Sequence, residues 1–155
     1  MNKSFVQSKL LYFLIFLFAG TLFSACSSDK ENEEIIPYTY INFSINLDYY
    51  NHLNPIGNSI HFKQMPGGAS LGYKGHGIIV THTVDGFVAY DATCTLNVEA
   101  AESLKLSEPI AECPICNSKF NLLDAYPLNE SEAKYPLKKY RTRYSVSNNT
   151  LYISN

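Results

Sequence analysis

From residue 38 onward, apolar and polar residues alternate in short runs. In 38–47, Tyr40, Asn42, Ser44 and Asn46 fall on one face and Ile41, Phe43, Ile45 and Leu47 on the other. That period of two predicts a strand half in and half out of a core. The run 59–65 repeats it, with Ile60, Phe62 and Gln64 opposite His61 and Lys63. Residues 77–82 and 86–90 flank Thr83-Val-Asp-Gly86, whose Asp-Gly pair predicts a hairpin. Further strands are expected at 96–100, 109–113, 139–146 and 150–154, with a tight turn at 147–149. No stretch offers four turns of apolar helical spacing. A short helix over 99–106 competes with a turn between two strands, and the turn is the stronger reading. The pattern predicts an all-β domain of antiparallel hairpins.

The first 25 residues follow a different rule. Lys3 and Lys9 precede an apolar core at 10–18, and the small pair Ser24-Ala25 leads into Cys26. This is the layout of a cleaved signal peptide with lipidation at Cys26. A membrane-spanning anchor is the competing reading, but the apolar run falls short of the roughly 20 residues a span needs. Residues 26–37 begin with an acidic, polar run that reads as a tether and resembles the acidic tag that sends some bacterial lipoproteins to the outer surface. The expected organisation is a signal peptide at 1–25, a tether at 26–37 and one domain at 38–155. The expected location is the cell envelope, with a lipid anchor in a bacterial membrane, the outer one favoured.

Charge removes one class of partner. Two of the 12 Lys and Arg residues lie in the leader, leaving 10 against 14 acidic residues, a net charge of −4. No basic stripe is available to neutralise phosphates, so nucleic acid is not expected as a partner. Residues 66–77 hold five of the eight glycines. The segment lacks the Lys-Ser/Thr ending and following helix of a phosphate loop, and a long hairpin connection is the plainer reading.

The cysteines carry the chemistry. Lipidation of Cys26 would leave Cys94, Cys113 and Cys116. Three is an odd number in an oxidising compartment, so a pure disulfide framework does not account for them. They stand in two segments, Val88-Ala-Tyr-Asp-Ala-Thr-Cys94 and Cys113-Pro-Ile-Cys116-Asn-Ser-Lys-Phe120, which suggests two loops meeting at a metal.

These segments resemble the Rieske domain, which carries a [2Fe–2S] cluster. The resemblance extends from about residue 38 to the C-terminus and is most specific over 94–137. It implies a Rieske-like antiparallel β-sandwich with a cluster-binding subdomain inserted at about 91–126. Ser118 and Phe120 match the family's Gly-Ser-x-Phe, where the serine hydroxyl resembles the donor to a bridging sulfide. Asp124-Ala125 resembles its Asp-Gly turn, and Ser131-Glu132-Ala133 stands where Gly-Pro-Ala usually closes over the cluster. The family's two loops read Cys-x-His and Cys-x-x-His. Here Leu96 and Cys116 occupy the histidine positions, and Asn117 replaces the following glycine.

Three fates of the site follow. Cys94, Cys113 and Cys116 ligate an iron–sulfur cluster with a fourth ligand from elsewhere; or they hold Zn²⁺ or a single iron in a knuckle whose second cysteine has become Asn97, three thiolates open to water; or the metal is gone, with two cysteines in a disulfide and one thiol buried. Among the histidines, His61 and His82 read as strand residues and His52 as part of a polar turn. His76, in the glycine-rich loop, is the one that could reach the site. No catalytic constellation is readable, so no enzyme activity is expected. The first fate implies one-electron transfer to a redox partner protein. The last two imply a binding or structural module.

Overall fold

The structure, a computed structural model, describes residues 35–65 and 67–155. The signal peptide, Cys26 and most of the tether therefore lie outside the described residues. Within them are nine strands: β1 (Asn42–Asn46), β2 (Ser59–Phe62), β3 (Ile78–Thr83), β4 (Gly86–Asp91), β5 (Lys105–Ser107), β6 (Ile110–Glu112), β7 (Lys119–Asn121), β8 (Lys139–Ser145) and β9 (Thr150–Ser154). Among the described residues helical structure is confined to three short 3₁₀ turns, and no described helix is long and apolar enough to cross a membrane. The all-β expectation holds.

Every strand pair is antiparallel. A six-stranded sheet runs β1-β9-β8-β4-β3-β2, and a separate three-stranded sheet runs β5-β6-β7. β8 is shared by the two halves of the larger sheet. Its first residues pair with β4, as Ala89 with Tyr140, and its later residues pair with β9, from Arg141–Ser154 to Ser145–Thr150. The sheet therefore folds over along β8, and its halves enclose a core.

That core takes Ile41, Phe43, Ile45 and Leu47 from the β1 side and Phe62, Ile78, Val80 and Ala89 from β2 to β4. The alternation read from 38–47 predicts the four β1-side residues. Ile78, Ile79 and Val80 break the alternation, and all three are fully buried. The reason is that β3 has a core on each face. Ile78 and Val80 point into the first, while Ile79 and Tyr90 join a second with Ala92, Leu104, Phe120, Leu122 and Leu137. A strand covered on both sides reads as a continuous apolar run. Burying a side chain such as Ile79 contributes about 2 kcal/mol.

Some boundaries move. The strand expected at 96–100 is a series of bends and turns, closed by Ala100 N–H donating to Asn97 O. Its Leu96 is exposed, because the chain must double back there to bring Cys94 against the second loop. Residues 99–103 carry no helix, and β5 starts at Lys105. At the other end, Ile36 is buried and Lys138 Nζ donates to Ile36 O and Pro37 O. Packed structure thus begins at least at Ile36.

Candidate metal centre

Two loops and a latch build the site. The first loop leaves β4 at Asp91, whose carboxylate is fully buried and accepts three hydrogen bonds. Tyr140 Oη (2.7 Å) and Tyr73 N–H (2.8 Å) donate to Oδ2, and Thr93 N–H (3.0 Å) donates to Oδ1. One side chain thus ties β8, the glycine-rich loop and the backbone beside Cys94. Leu104 N–H donating to Ala92 O and Thr95 Oγ1 donating to Tyr135 O hold the loop from two further directions.

The second loop is a tight turn between β6 and β7. Asn117 N–H donates to Cys113 O and Cys113 N–H donates to Ser118 O, each at 2.9 Å. The turn requires Asn117 at φ +56°, a left-handed conformation that glycine adopts freely and asparagine tolerates better than most residues. This explains why asparagine can stand where the resemblance expects glycine. Over both loops lies the segment leading to Leu137. Lys119 N–H donates to Ser131 Oγ, whose hydroxyl returns to Lys119 O. Ala133 N–H donates to the buried Ser118 Oγ at 3.2 Å.

These restraints bring Cys94, Cys113 and Cys116 together with all three sulfurs within 4.8 Å of one another. Cys94 and Cys113 are buried, Cys116 is partly exposed, and all three are free thiols. Cys94 Sγ lies 3.7 Å from Cys116 Sγ. The thiols are electrostatically unequal. Burial pushes the Cys94 thiol up to about 12, helped by its Cys113 neighbour and resisted by the backbone N–H groups of Leu96 and Asn97. At Cys116 burial also opposes ionisation. Hydrogen bonds from the Ser118 hydroxyl, the Ser118 backbone and the Cys113 and Cys94 thiols outweigh it and bring Cys116 down to about 7. With Cys116 as a thiol, its S–H donates to Ser118 Oγ at 3.2 Å. With Cys116 ionised, the hydroxyl proton turns toward the sulfur, while Ala133 N–H still satisfies the oxygen.

No histidine joins the cysteines. Among the described residues these three thiols are the converging donor set. His76 comes nearest in the chain of contacts: its Nδ1 is 2.9 Å from Thr93 Oγ1, beside Cys94 in sequence. His61 Nε2 bonds His76 O, His52 pairs with Glu108, and His82 bonds Asn54 O and stacks on Phe87. Leu96 is exposed and offers no donor atom. Three thiols fall one short of the four ligands a [2Fe–2S] cluster takes, so the described residues do not by themselves fit that group. The positions of Cys94, Cys113, Cys116 and Ser118 were legible from spacing and resemblance. The organising roles of Asp91, Thr95 and Ser131 were not, although Asp91 lies three residues before Cys94 at a strand end.

No protein-family model matches the chain, and no curated protein matches it. Among solved structures it is similar to a chain of the complex of reduced oxygenase and oxidized ferredoxin in carbazole 1,9a-dioxygenase. That match has 19% identity, covers 74% of this chain and 92% of that one, and has a TM-score of 0.46. The ferredoxin of carbazole 1,9a-dioxygenase from Nocardioides aromaticivorans IC177 matches at 16% identity, 76% and 98% coverage and TM-score 0.43. A quaternary ammonium Rieske monooxygenase matches at 15% identity, 75% of this chain but 31% of its own length, and TM-score 0.47. At these identities the likeness concerns fold alone, and at these TM-scores nothing about function is taken from it. Two cysteine loops on a three-stranded sheet, inserted between β4 and β8 of a curled antiparallel sheet, give this chain a Rieske-like fold.

Proposed function

We propose that this domain is a metal-binding module that holds one thiophilic ion on Cys94, Cys113 and Cys116. The fourth position is left to water or an outside ligand. The observation that carries the reading is the spacing of the sulfurs. Thiolates about 2.3 Å from a tetrahedral ion stand about 3.8 Å apart. The Cys94–Cys116 separation of 3.7 Å suits one shared ion, and small rotations bring in the third sulfur from within 4.8 Å. An all-thiolate set favours Zn²⁺, Cu⁺ or iron over harder cations. Ser118 stabilises the Cys116 thiolate such an ion requires. The role is binding rather than catalysis.

A second reading is one-electron transfer through a [2Fe–2S] cluster completed by an outside ligand, with a redox protein as partner. The placement of the loops and of Ser118 Oγ beside Cys116 favours it. Lipid attachment at Cys26 and a place in the cell envelope belong to the proposal on the sequence of residues 1–34 alone. Substituting Cys26→Ser is expected to move the protein from the membrane to the soluble fraction.

Metal, acid-labile sulfide and free thiols are to be counted together on freshly purified protein. One zinc, copper or iron per chain without sulfide supports the single-ion reading. Two irons with two sulfides replace it with the electron carrier. No metal after reconstitution, with one free thiol among Cys94, Cys113 and Cys116, refutes both readings and leaves a disulfide-bonded scaffold.

A further inference from the structure

The glycine-rich loop, tied to Asp91 through Tyr73 N–H but giving no ligand atom to the cysteine centre, forms part of one wall of a polar cleft. His61 of β2, Lys63 just beyond it, and Lys74 and His76 of the loop line that wall, and residues 101–106 form the other, around a half-open space of about 410 Å³. The loop is fixed rather than loosely strung. His61 Nε2 is 2.7 Å from His76 O. Gly77 sits at φ +98°, where an added Cβ would fall 2.4 Å from His61 Nε2 and 2.7 Å from Phe62 O. Only glycine allows the loop to press this closely on β2.

His76 is 6% exposed. Its Nδ1 is engaged by Thr93 Oγ1, and Nε2 has no hydrogen-bond partner among the described residues. No buried side-chain nitrogen or oxygen there lacks a partner, so Nε2 keeps contact with solvent, and His76 lines the cleft. When the Thr93 hydroxyl donates to Nδ1, Nε2 carries the proton and becomes a donor.

The charges around it are mostly positive. Lys74 is paired with Glu99 at 2.5 Å. Lys105 stands 3.9 Å from Glu102 with both side chains largely exposed, a pairing worth little in water. Lys63 has no ion pair among the described residues. Glu102 is the one carboxylate among the lining residues, against Lys63, Lys74, Lys105 and the two histidines, so cationic and donor groups outnumber acceptors at the cleft.

We propose that this cleft binds a small oxyanion carrying two or more negative charges, of the phosphate or polycarboxylate kind, on His76 Nε2, Lys63 and Lys105. Preorganisation of the loop lowers the ordering cost of binding, and the lysines supply long-range attraction. The cleft shares no residue with the cysteine centre.

The test uses the full chain labelled with ¹⁵N-histidine, followed by long-range ¹H–¹⁵N correlation spectra. Inorganic phosphate, a phosphomonoester (phenyl phosphate) and citrate are titrated separately, with and without prior chelation of metal. A saturable shift of His76 Nε2 with any of the three is expected, weakened at least tenfold in Lys63→Ala/Lys105→Ala. Both lysines are exposed, so that variant folds, and unchanged backbone spectra verify it. Saturation by both phosphate compounds identifies a phosphate group, free or esterified. Saturation by inorganic phosphate alone excludes an ester, and saturation by citrate alone identifies a carboxylate ligand. Linear drift without saturation, or equal binding in the double variant, overturns the proposal.

Discussion

Asp91→Asn tests the organisation of the site most directly. The native carboxylate accepts from two donors on one side, Tyr73 N–H and Tyr140 Oη, and from Thr93 N–H on the other. Asparagine has one carbonyl oxygen. Turned toward Tyr73 and Tyr140, it sets its own NH₂ against Thr93 N–H and leaves a buried donor unpaired, at about 1–3 kcal/mol. The two surviving bonds lose their charge assistance, at about 1 kcal/mol each. Relief of carboxylate desolvation works the other way. The net expected loss is about 2–4 kcal/mol, a fall in melting temperature of roughly 6–15 °C for a domain of this size. Tyr140→Phe removes one donor and leaves the carboxylate two, so its loss is expected near 1 kcal/mol. Urea unfolding followed by circular dichroism measures both. Because Thr93 precedes Cys94, metal affinity in Asp91→Asn is expected to fall about 10- to 100-fold, the effect of disturbing groups that orient ligands. A loss below 1 kcal/mol in Asp91→Asn, or a larger loss in Tyr140→Phe, would refute the reasoning.

Three further outcomes are expected. In reduced, metal-free protein, iodoacetamide attacks Cys116 first. Its thiolate fraction rises with pH through about 7, so the rate climbs through neutrality and levels off above it, while Cys94, pushed up to about 12, stays unreactive. Peptide mass mapping after brief labelling at pH 6 to 9 checks this, and preferential labelling of Cys94 contradicts it. Asn117→Gly leaves stability unchanged within about 0.5 kcal/mol, whereas Asn117→Val loses at least about 1 kcal/mol at φ +56°. Equal melting temperatures for the two variants argue against a strained turn. Ile79→Ala opens a cavity in the second core and costs about 2–5 kcal/mol, so a calorimetric loss under 1 kcal/mol would show that this face of β3 is not packed against a core.

Local sequence determined the strands and the candidate ligands. Alternation at 38–47 identified the faces of β1, because a half-buried strand must alternate to keep its polar residues wet. The spacing of Cys94, Cys113 and Cys116 pointed to sulfurs that could converge, because a tight turn can bring Cys113 and Cys116 to one point while Cys94 arrives on a second loop. Tertiary structure decided the rest. Ile78, Ile79 and Val80 are all buried because two separate cores flank β3, which no single-strand pattern records. Leu96 and its neighbours had the look of a strand, yet form turns because Asp91, Ala92 and Thr95 are tied to the glycine-rich loop, β8, Leu104 and Tyr135. His76 looked able to reach the cysteines, but Thr93 holds its Nδ1 and the residue lines another cleft. Periodicity reports what each residue needs from solvent. Which partner supplies a buried donor or acceptor depends on where distant segments meet, and only the folded chain fixes that.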